Sequence, residues 1–89
     1  MTLEPLAIEK AIKCKVMDIA EAMGSDASDL QSDEVIPATG LIDSAGLLEL
    51  IAWFEHAYAF TIPADELTID NLGTVTAMVD YLLRRKGVV

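Results

Sequence analysis

The residue pair Asp43-Ser44 is the part of this chain best suited to chemistry. It follows a segment containing Pro37 and Gly40 and precedes an apolar helical pattern, so we expect Ser44 in the first turn of a helix. The positive end of a helix dipole favours an anionic group near that hydroxyl. The only histidine, His56, would lie about 18 Å away at roughly 1.5 Å per residue. Without a nearby base, Ser44 is expected to be modified by another enzyme rather than to act as a catalytic nucleophile.

The acidic residues do not match a known metal-binding pattern. A calcium loop beginning at Asp26 would place Leu30, Gln31 and Pro37 where an oxygen ligand, a glycine and a glutamate are needed. One cysteine and one histidine are too few for a zinc site, and no glycine-rich phosphate loop is present. We therefore interpret the acids as a solvated, partner-facing surface.

Length and composition predict one domain covering residues 1–89. Hydrophobic residues make up 53% of the chain, which argues against disorder. Glu49 and Glu55 interrupt the longest apolar runs, so no membrane insertion is expected, and the N-terminus lacks the pattern of a secretion signal. A single cysteine excludes an internal disulfide, and Cys14 is predicted to be a small core residue of a cytoplasmic protein.

The charges are distributed unevenly along the chain. The formal net charge is -9, and all six basic residues lie near the ends of the chain. Every acidic residue except Glu4 and Glu9 lies between Val16 and Leu83, where there is no lysine or arginine. Such a surface repels nucleic acid and steers basic partners toward it. Simple solubility is the alternative explanation. The basic residues are Lys10, Lys13, Lys15, Arg84, Arg85 and Lys86.

Apolar residues at helical intervals predict a first helix that begins near Pro5, with Thr2 as a cap, and ends at Gly24. Its core-facing stripe is expected to be Ile8, Ile12, Val16, Ile19 and Met23. The polar segment from Ser25 to Gly40 includes Pro37, so it predicts a long loop with a short helical turn.

A second helix is predicted from Ser44 to about Ala59, with Asp43 as its N-cap. A helical wheel places one set of side chains toward the core, namely Leu47, Leu50, Ile51, Phe54 and Tyr58. The outward set is Ser44, Leu48, Ala52 and Glu55, with Ala45, Glu49 and His56 beside them. Leu48 is then an apolar side chain on the outward face, one turn beyond Ser44, where a partner could dock.

The C-terminal third predicts a short helix from Ala64 to Leu67, a turn at 71–73, and a last helix capped by Thr74 and ended by Gly87. The core face of the last helix is expected to be Val75, Met78, Val79, Leu82 and Leu83. Three basic residues at 84–86 suit the negative end of its dipole. Together these elements predict an all-α fold. It is a small four-helix bundle of three longer helices and one short helix, with a long loop between the first and second helices.

Three motifs occur in a characteristic order. They are Asp43-Ser44 followed by Leu48-Glu49-Leu50, then Phe60-Thr61-Ile62-Pro63, then Leu67-Thr68 through Asn71-Leu72-Gly73-Thr74-Val75. Their order and spacing resemble the carrier-protein family, the acyl, peptidyl and aminoacyl carriers that bear a 4′-phosphopantetheine arm. The resemblance covers almost the whole chain, and the third motif is more similar to amino-acid carriers than to fatty-acid carriers.

The resemblance implies that Ser44 bears the arm through a phosphodiester and that the arm's thiol holds an acyl or aminoacyl group as a thioester. Asp43 resembles the position that caps the helix and helps a transferase bring its metal ion to the site. The implied partner-contacting residues are Ala45, Leu48, Glu49, Ala52, Glu55 and Ile62. For Glu49 and Glu55, mere solvation remains the alternative.

Ala45 and Gly46 depart from the family's usual pattern, in which Leu or another large apolar residue follows the modified serine. The form Asp-Ser-x-Gly resembles D-alanyl carrier proteins. Glycine within a helix costs roughly 1 kcal/mol relative to alanine, and two small residues leave a flatter surface beside the arm. This departure favours a dedicated set of partner enzymes over those of fatty-acid synthesis.

The resemblance therefore implies a free-standing, monomeric aminoacyl carrier that is not itself an enzyme. Its implied partners are a phosphopantetheinyl transferase, an ATP-dependent adenylating ligase and downstream enzymes that accept the acyl or aminoacyl group. One alternative is an acyl carrier for fatty-acid or polyketide synthesis. The other is a helical interaction module that never bears an arm.

Overall fold

The computed structural model describes residues 4–87, and all regular secondary structure in that range is helical. The helices are α1 (Pro5–Ala22), α2 (Ile36–Thr39), α3 (Ser44–Ala57), α4 (Ile69–Leu72) and α5 (Val75–Lys86), with a 3-10 turn at Ala64–Glu66. Helices α1, α3 and α5 are the long ones, so the predicted small helical bundle is confirmed. None of the helices described is long and apolar enough to cross a membrane.

Helix α1 buries most of the stripe predicted for it, but its C-terminal end differs. The side chains of Ile8, Ile12, Val16 and Ile19 are buried. Met23 is 42% exposed, so the prediction that it faces the core is wrong. The helix ends at Ala22, and the chain turns away at Gly24, whose φ of 81° is in the left-handed region.

Cys14 and the start of α1 also differ from expectation. Cys14 is exposed, so its assignment to the core is wrong. It lies between Lys13 and Lys15, off the stripe that contains Ile12 and Val16, and helical position outweighed the usual preference of cysteine for burial. The residue preceding α1 is Glu4, while the predicted cap at Thr2 lies outside the described residues.

Helix α5 forms with the predicted caps. Thr74 Oγ1 accepts a hydrogen bond from the backbone N–H of Ala77 at 2.9 Å, and Gly87 ends the helix with a φ of 70°. The predicted core face is buried except for Leu83, which is half-buried. Tyr81, which the sequence analysis missed, is also buried. Burial raises the pKa of its hydroxyl, which remains protonated and donates to the carboxylate of Glu66.

The long loop before α3 is hydrogen-bonded to both α1 and α5. The hydroxyl of Ser32 donates to Glu9 of α1, and the carbonyl of Ser32 accepts from the N–H of Thr76 in α5 at 3.0 Å. The N–H of Ile36 donates to the carbonyl of Gly73 at 2.7 Å. The predicted short helical turn in this loop is confirmed as α2. These contacts hold the segment that leads into Ser44 in one place.

Two short elements precede α5. The 3-10 turn matches the predicted short helix, but α4 forms where only a turn was expected. Thr68 explains this second helix, because its hydroxyl accepts a hydrogen bond from the N–H of Asn71 at 3.2 Å and caps the turn. Arg85 then holds the preceding chain, since its guanidinium donates to the carbonyl of Thr61 at 2.8 Å.

Gly46 lies where α3 packs tightly against α1. The residue is buried, and a Cβ placed on it would lie 2.9 Å from Ile19 Cγ2 and 3.1 Å from Ile42 Cβ. Both neighbours are buried β-branched side chains with little rotamer freedom. The sequence indicated only the helix-propensity cost of this glycine, whereas the structure shows that its missing side chain makes room for α1.

We expect Gly46→Ala to lower the free energy of unfolding, although alanine is the better helix former. Helix propensity should contribute roughly 1 kcal/mol in favour of alanine, while overpacking a core costs about 1–3 kcal/mol. Urea unfolding followed by circular dichroism measures the difference. Ala45→Gly, at the exposed neighbouring position, calibrates the propensity effect alone. A Gly46→Ala protein more stable than the parent would contradict the close-contact explanation.

Candidate functional site

The site is built on the N-terminus of α3, where Asp43 is the N-cap. Its backbone is extended, with φ of -91° and ψ of -173°. Its Oδ1 accepts a hydrogen bond from the N–H of Gly46 at 2.8 Å, and its carbonyl accepts from the N–H of Leu47 at 2.9 Å. The predicted N-cap is confirmed. These two bonds define the direction in which α3 begins and therefore the position of Ser44.

Ser44 is the first residue of α3, and its side chain is exposed. Within residues 4–87, the structure shows no acceptor for the N–H groups of Ser44 and Ala45. Free N–H groups at the positive end of a helix can bind the oxygens of a phosphate. The local geometry therefore suits a phosphoester on the Ser44 hydroxyl.

The surroundings of Ser44 lack the other parts of a hydrolytic site. His56 is exposed and lies near the opposite end of the same helix, so it is not in position to take the serine's proton. Within the described range, no three His, Cys, Asp or Glu side chains come together as a metal site. Ser44 is therefore exposed at the start of α3, with no metal cluster and no histidine beside it among the described residues.

A shallow groove begins beside Ser44. Its first part, about 240 Å³, is lined by Pro37, Ile42, Asp43, Ser44 and Leu47. Pro37 and Leu47 also line a narrower part of about 100 Å³, which continues between α3 and α4. The sequence analysis missed this groove because its walls come from three segments separated along the chain. Two larger depressions, at Asp70–Arg84 and at Ala52–Thr61, lie away from Ser44.

The outward face of α3 carries most of the residues predicted to contact partners. Ala45, Glu49 and Ala52 are exposed, and Leu48 is 65% exposed. The structure thus places Ser44 and Leu48 on one accessible face, as the helical wheel predicted. An exposed leucine flanked by two alanines forms a small apolar surface one turn from the candidate attachment point.

Ile62 and Glu55, the other two residues predicted to contact partners, are less accessible than the exposed face of α3. Ile62 is 5% exposed and its side chain packs in the core, so little of it is accessible for the predicted partner contact. Glu55 is half-buried, and its Oε2 accepts a hydrogen bond from the N–H of Ile62 at 2.7 Å. This bond satisfies a buried backbone donor and anchors the chain that leaves α3.

Lys15 of α1 is a neighbour of this surface that the sequence analysis did not identify. Its Nζ lies 3.6 Å from Glu49 Oε2. No local pattern predicts this pair, because the two residues lie on different helices and far apart in sequence. The apparently continuous acidic surface around α3 therefore contains a lysine.

Comparison with known proteins supports one family. Residues 16–82 match the family model described as "Phosphopantetheine attachment site". A D-alanyl carrier protein of Streptococcus sanguinis (strain SK36) is 31% identical over 70 residues, covering 78% of this chain and 87% of the relative. A D-alanyl carrier protein of Streptococcus pyogenes serotype M5 (strain Manfredo) is 30% identical over 79 residues, covering 89% of each chain. No solved structure gives a significant match.

The residues at the start of α3 fit the group that this family bears. An exposed hydroxyl can form the phosphodiester, and the free N–H groups of the first helical turn suit its phosphate. The groove beside Ser44 leaves the hydroxyl open to a second protein. The chain therefore belongs to the phosphopantetheine attachment-site family, whose members are carrier proteins holding an acyl or aminoacyl group on a covalently attached 4′-phosphopantetheine arm.

Proposed function

We propose that Ser44 is the attachment residue and that the cargo is an amino acid, with D-alanine the leading candidate. The observation that carries the proposal is the exposed Ser44 hydroxyl at the start of α3, directly after the capping Asp43. The relatives named D-alanyl carrier proteins supply the candidate cargo. The proposed domain covers residues 1–89, and the chain itself catalyses no reaction in this proposal.

The residues around Ser44 perform presentation rather than catalysis. Asp43 holds the first turn of α3 in register through its bond to Gly46 N–H, and this turn points the hydroxyl outward. Because His56 lies in the last turn of α3 and the Asp43 carboxylate caps the first turn, the proposal assigns to the transferase the group that takes the Ser44 proton. Asp43 is exposed, so its second carboxylate oxygen is available to help orient a metal ion carried by the transferase. The bound arm supplies a thiol that holds the cargo as a thioester.

The packing below α3 supports a small cargo. Phe54 is fully buried and its ring contacts those of Tyr58 and Phe60, with centroids 5.5 and 5.3 Å apart. The narrower part of the groove, between α3 and α4, measures about 100 Å³, well under the roughly 300 Å³ at the lower end of ordinary ligand pockets. A long acyl chain would have to displace this aromatic packing. An amino acid would not need such shelter.

The proposed partners are a phosphopantetheinyl transferase, an ATP-dependent ligase that activates the amino acid as an adenylate, and an enzyme that receives the aminoacyl group. We assign their contacts to Ala45, Leu48, Glu49 and Ala52, which share the exposed face with Ser44. Because coenzyme A and ATP are the donors in this scheme, we place the loading reactions in the cytoplasm. Leu48 is the side chain with the most apolar area to bury against a partner.

Ser44→Ala should leave the fold intact and abolish arm attachment. The hydroxyl is exposed and makes no hydrogen bond within the described residues, so its loss should change stability by less than about 0.5 kcal/mol. Intact-protein mass spectrometry after incubation with coenzyme A and a phosphopantetheinyl transferase measures attachment. Ser28→Ala, at another exposed serine, should gain the arm like the parent. An arm on the Ser44→Ala protein would show that the site is elsewhere, and an unmodified parent would favour the interaction module without an arm.

Two substitutions at Asp43 separate its capping role from its charge. Asp43→Ala removes the acceptor for Gly46 N–H and should cost about 0.5–2 kcal/mol of stability. Asp43→Asn keeps an N-cap of similar strength and should change stability little, while slowing arm transfer because the carboxylate is gone. Thermal unfolding and transfer rates measure the two effects. If Asp43→Asn accepted the arm at the parent rate, Asp43 would be a helix cap alone.

Competition between cargoes tests the aminoacyl assignment. The protein bearing its arm is offered D-alanine with an adenylating ligase and a long-chain fatty acid with an acyl ligase, each with ATP. We expect stable aminoacyl thioester and little fatty acyl product, because sheltering a long chain would disturb the aromatic packing around Phe54. Mass spectrometry identifies the product. Preferential loading with the fatty acid would replace the aminoacyl assignment with the fatty-acid carrier alternative.

A further inference from the structure

The contact between Lys15 and Glu49 changes the charge of the face that carries Ser44. Lys15 Nζ lies 3.6 Å from Glu49 Oε2, with the lysine side chain 25% exposed and that of Glu49 61% exposed. Most of the Lys15 side chain is therefore covered by the protein, an arrangement in which the stem of a lysine packs while its charge stays near water. The other exposed lysine charges of α1 have different neighbours: Lys13, for example, pairs with Glu9 at 3.6 Å.

We propose that Lys15 weakens the docking of basic partners on this carrier, by competing with a partner's basic residue for Glu49. The inference rests on the proposed function, since it assumes that the face of α3 carrying Ser44 is the face on which partners dock. A partner lysine or arginine that approached Glu49 would meet Lys15 already in place. It would have to displace the Lys15 ammonium or share the carboxylate with it, and like charges held that close repel each other.

Glu49 is the acid on this face at which such competition matters most. The carboxylate of Glu55 is half-buried and accepts a hydrogen bond from Ile62 N–H, so it is directed toward its own chain. Glu49 makes no comparable backbone bond within residues 4–87. Lys15 thus neutralises the carboxylate of α3 that is otherwise the most accessible to a partner.

The surface around Leu48 is apolar at its centre, and the paired Lys15 and Glu49 lie at its edge. Leu48 is 65% exposed and lies between the exposed Ala45 and Ala52 on the helix face. This arrangement fits a partner with an apolar pocket for Leu48 and few basic residues around it. A partner whose docking surface is strongly basic is disfavoured, because it would gain little from Glu49.

The effect should be graded rather than absolute. Exposed ion pairs are weak and are screened by salt, so Lys15 can be displaced at a modest cost. Removing it should therefore improve docking of a basic partner by a small factor, without altering the chemistry at Ser44. This separates Lys15 from a residue that touches the reacting atoms.

The test uses the full chain as a substrate for a phosphopantetheinyl transferase whose carrier-docking surface is basic. Four forms are compared at low ionic strength: the parent, Lys15→Gln, Glu49→Gln and the double variant. We expect Lys15→Gln to lower the KM for the carrier about two- to fivefold with kcat unchanged, which is the range of an exposed ion pair. In the Glu49→Gln background the same change should have no effect. Near 1 M salt, where screening acts over about 3 Å, the difference should disappear.

Lys10→Gln is the matched control, because Lys10 is an exposed lysine of the same helix and its loss changes the net charge equally. An unchanged KM for Lys15→Gln would overturn the proposal. An equal fall in the Lys10→Gln protein would also overturn it, since the effect would then come from net charge alone. Melting temperatures verify that all variants are folded. If the parent chain never gains the arm, the proposed function is overturned as well. If the parent gains the arm and Lys15→Gln has the same KM, only the role of Lys15 is overturned.

Discussion

The close approach of α1 and α3 at Gly46 is the contact on which the geometry of the site depends. Because Gly46 has no side chain, Ile19 and Ile42 can pack against the first turn of α3. Ser44 lies two residues before this contact, so the direction of its side chain follows from how α3 rests on α1. Asp43 contributes to the same turn by capping Gly46 N–H. The first turn of α3 is thus fixed both by packing against α1 and by its cap.

The packing of α1 against α3 also brings Lys15 close to Glu49. Lys15 is one turn before Ile19 on α1, and Glu49 is about one turn after Gly46 on α3. Because Ile19 contacts Gly46, Lys15 and Glu49 are neighbours one turn away from that contact. In sequence, the acidic segment between Val16 and Leu83 contains no base. In the folded chain, a lysine from outside that segment faces one of its acids at 3.6 Å. Charge counted along a sequence is therefore a poor guide to the charge that a partner meets.

The remainder of the fold keeps α3 in place rather than adding chemistry. The segment that follows α3 is held by Glu55 through Ile62 N–H and by Arg85 through the carbonyl of Thr61. The loop that precedes α3 is bonded to α1 and α5 through Ser32. The segment after α3 is held by side chains that bond backbone groups, whereas the loop before it is held by a side-chain pair and a backbone bond. The interior is apolar and includes the aromatic cluster around Phe54. A rigid support for one exposed serine is consistent with a protein that presents cargo to other enzymes.

The sequence alone determined the features that depend on residues close together in the chain. Helical periodicity identified most of the core faces of α1, α3 and α5, although Met23 was misplaced and Tyr81 was missed. Side-chain chemistry identified the caps Asp43 and Thr74, because a cap is set within one turn. Cys14 was misassigned because residue type was given more weight than its position on the helix. Only the tertiary structure decided that Ile62 is buried, that Gly46 receives α1 and that Lys15 faces Glu49. These contacts join residues far apart in sequence, and packing between helices, which leaves no local pattern, selects them.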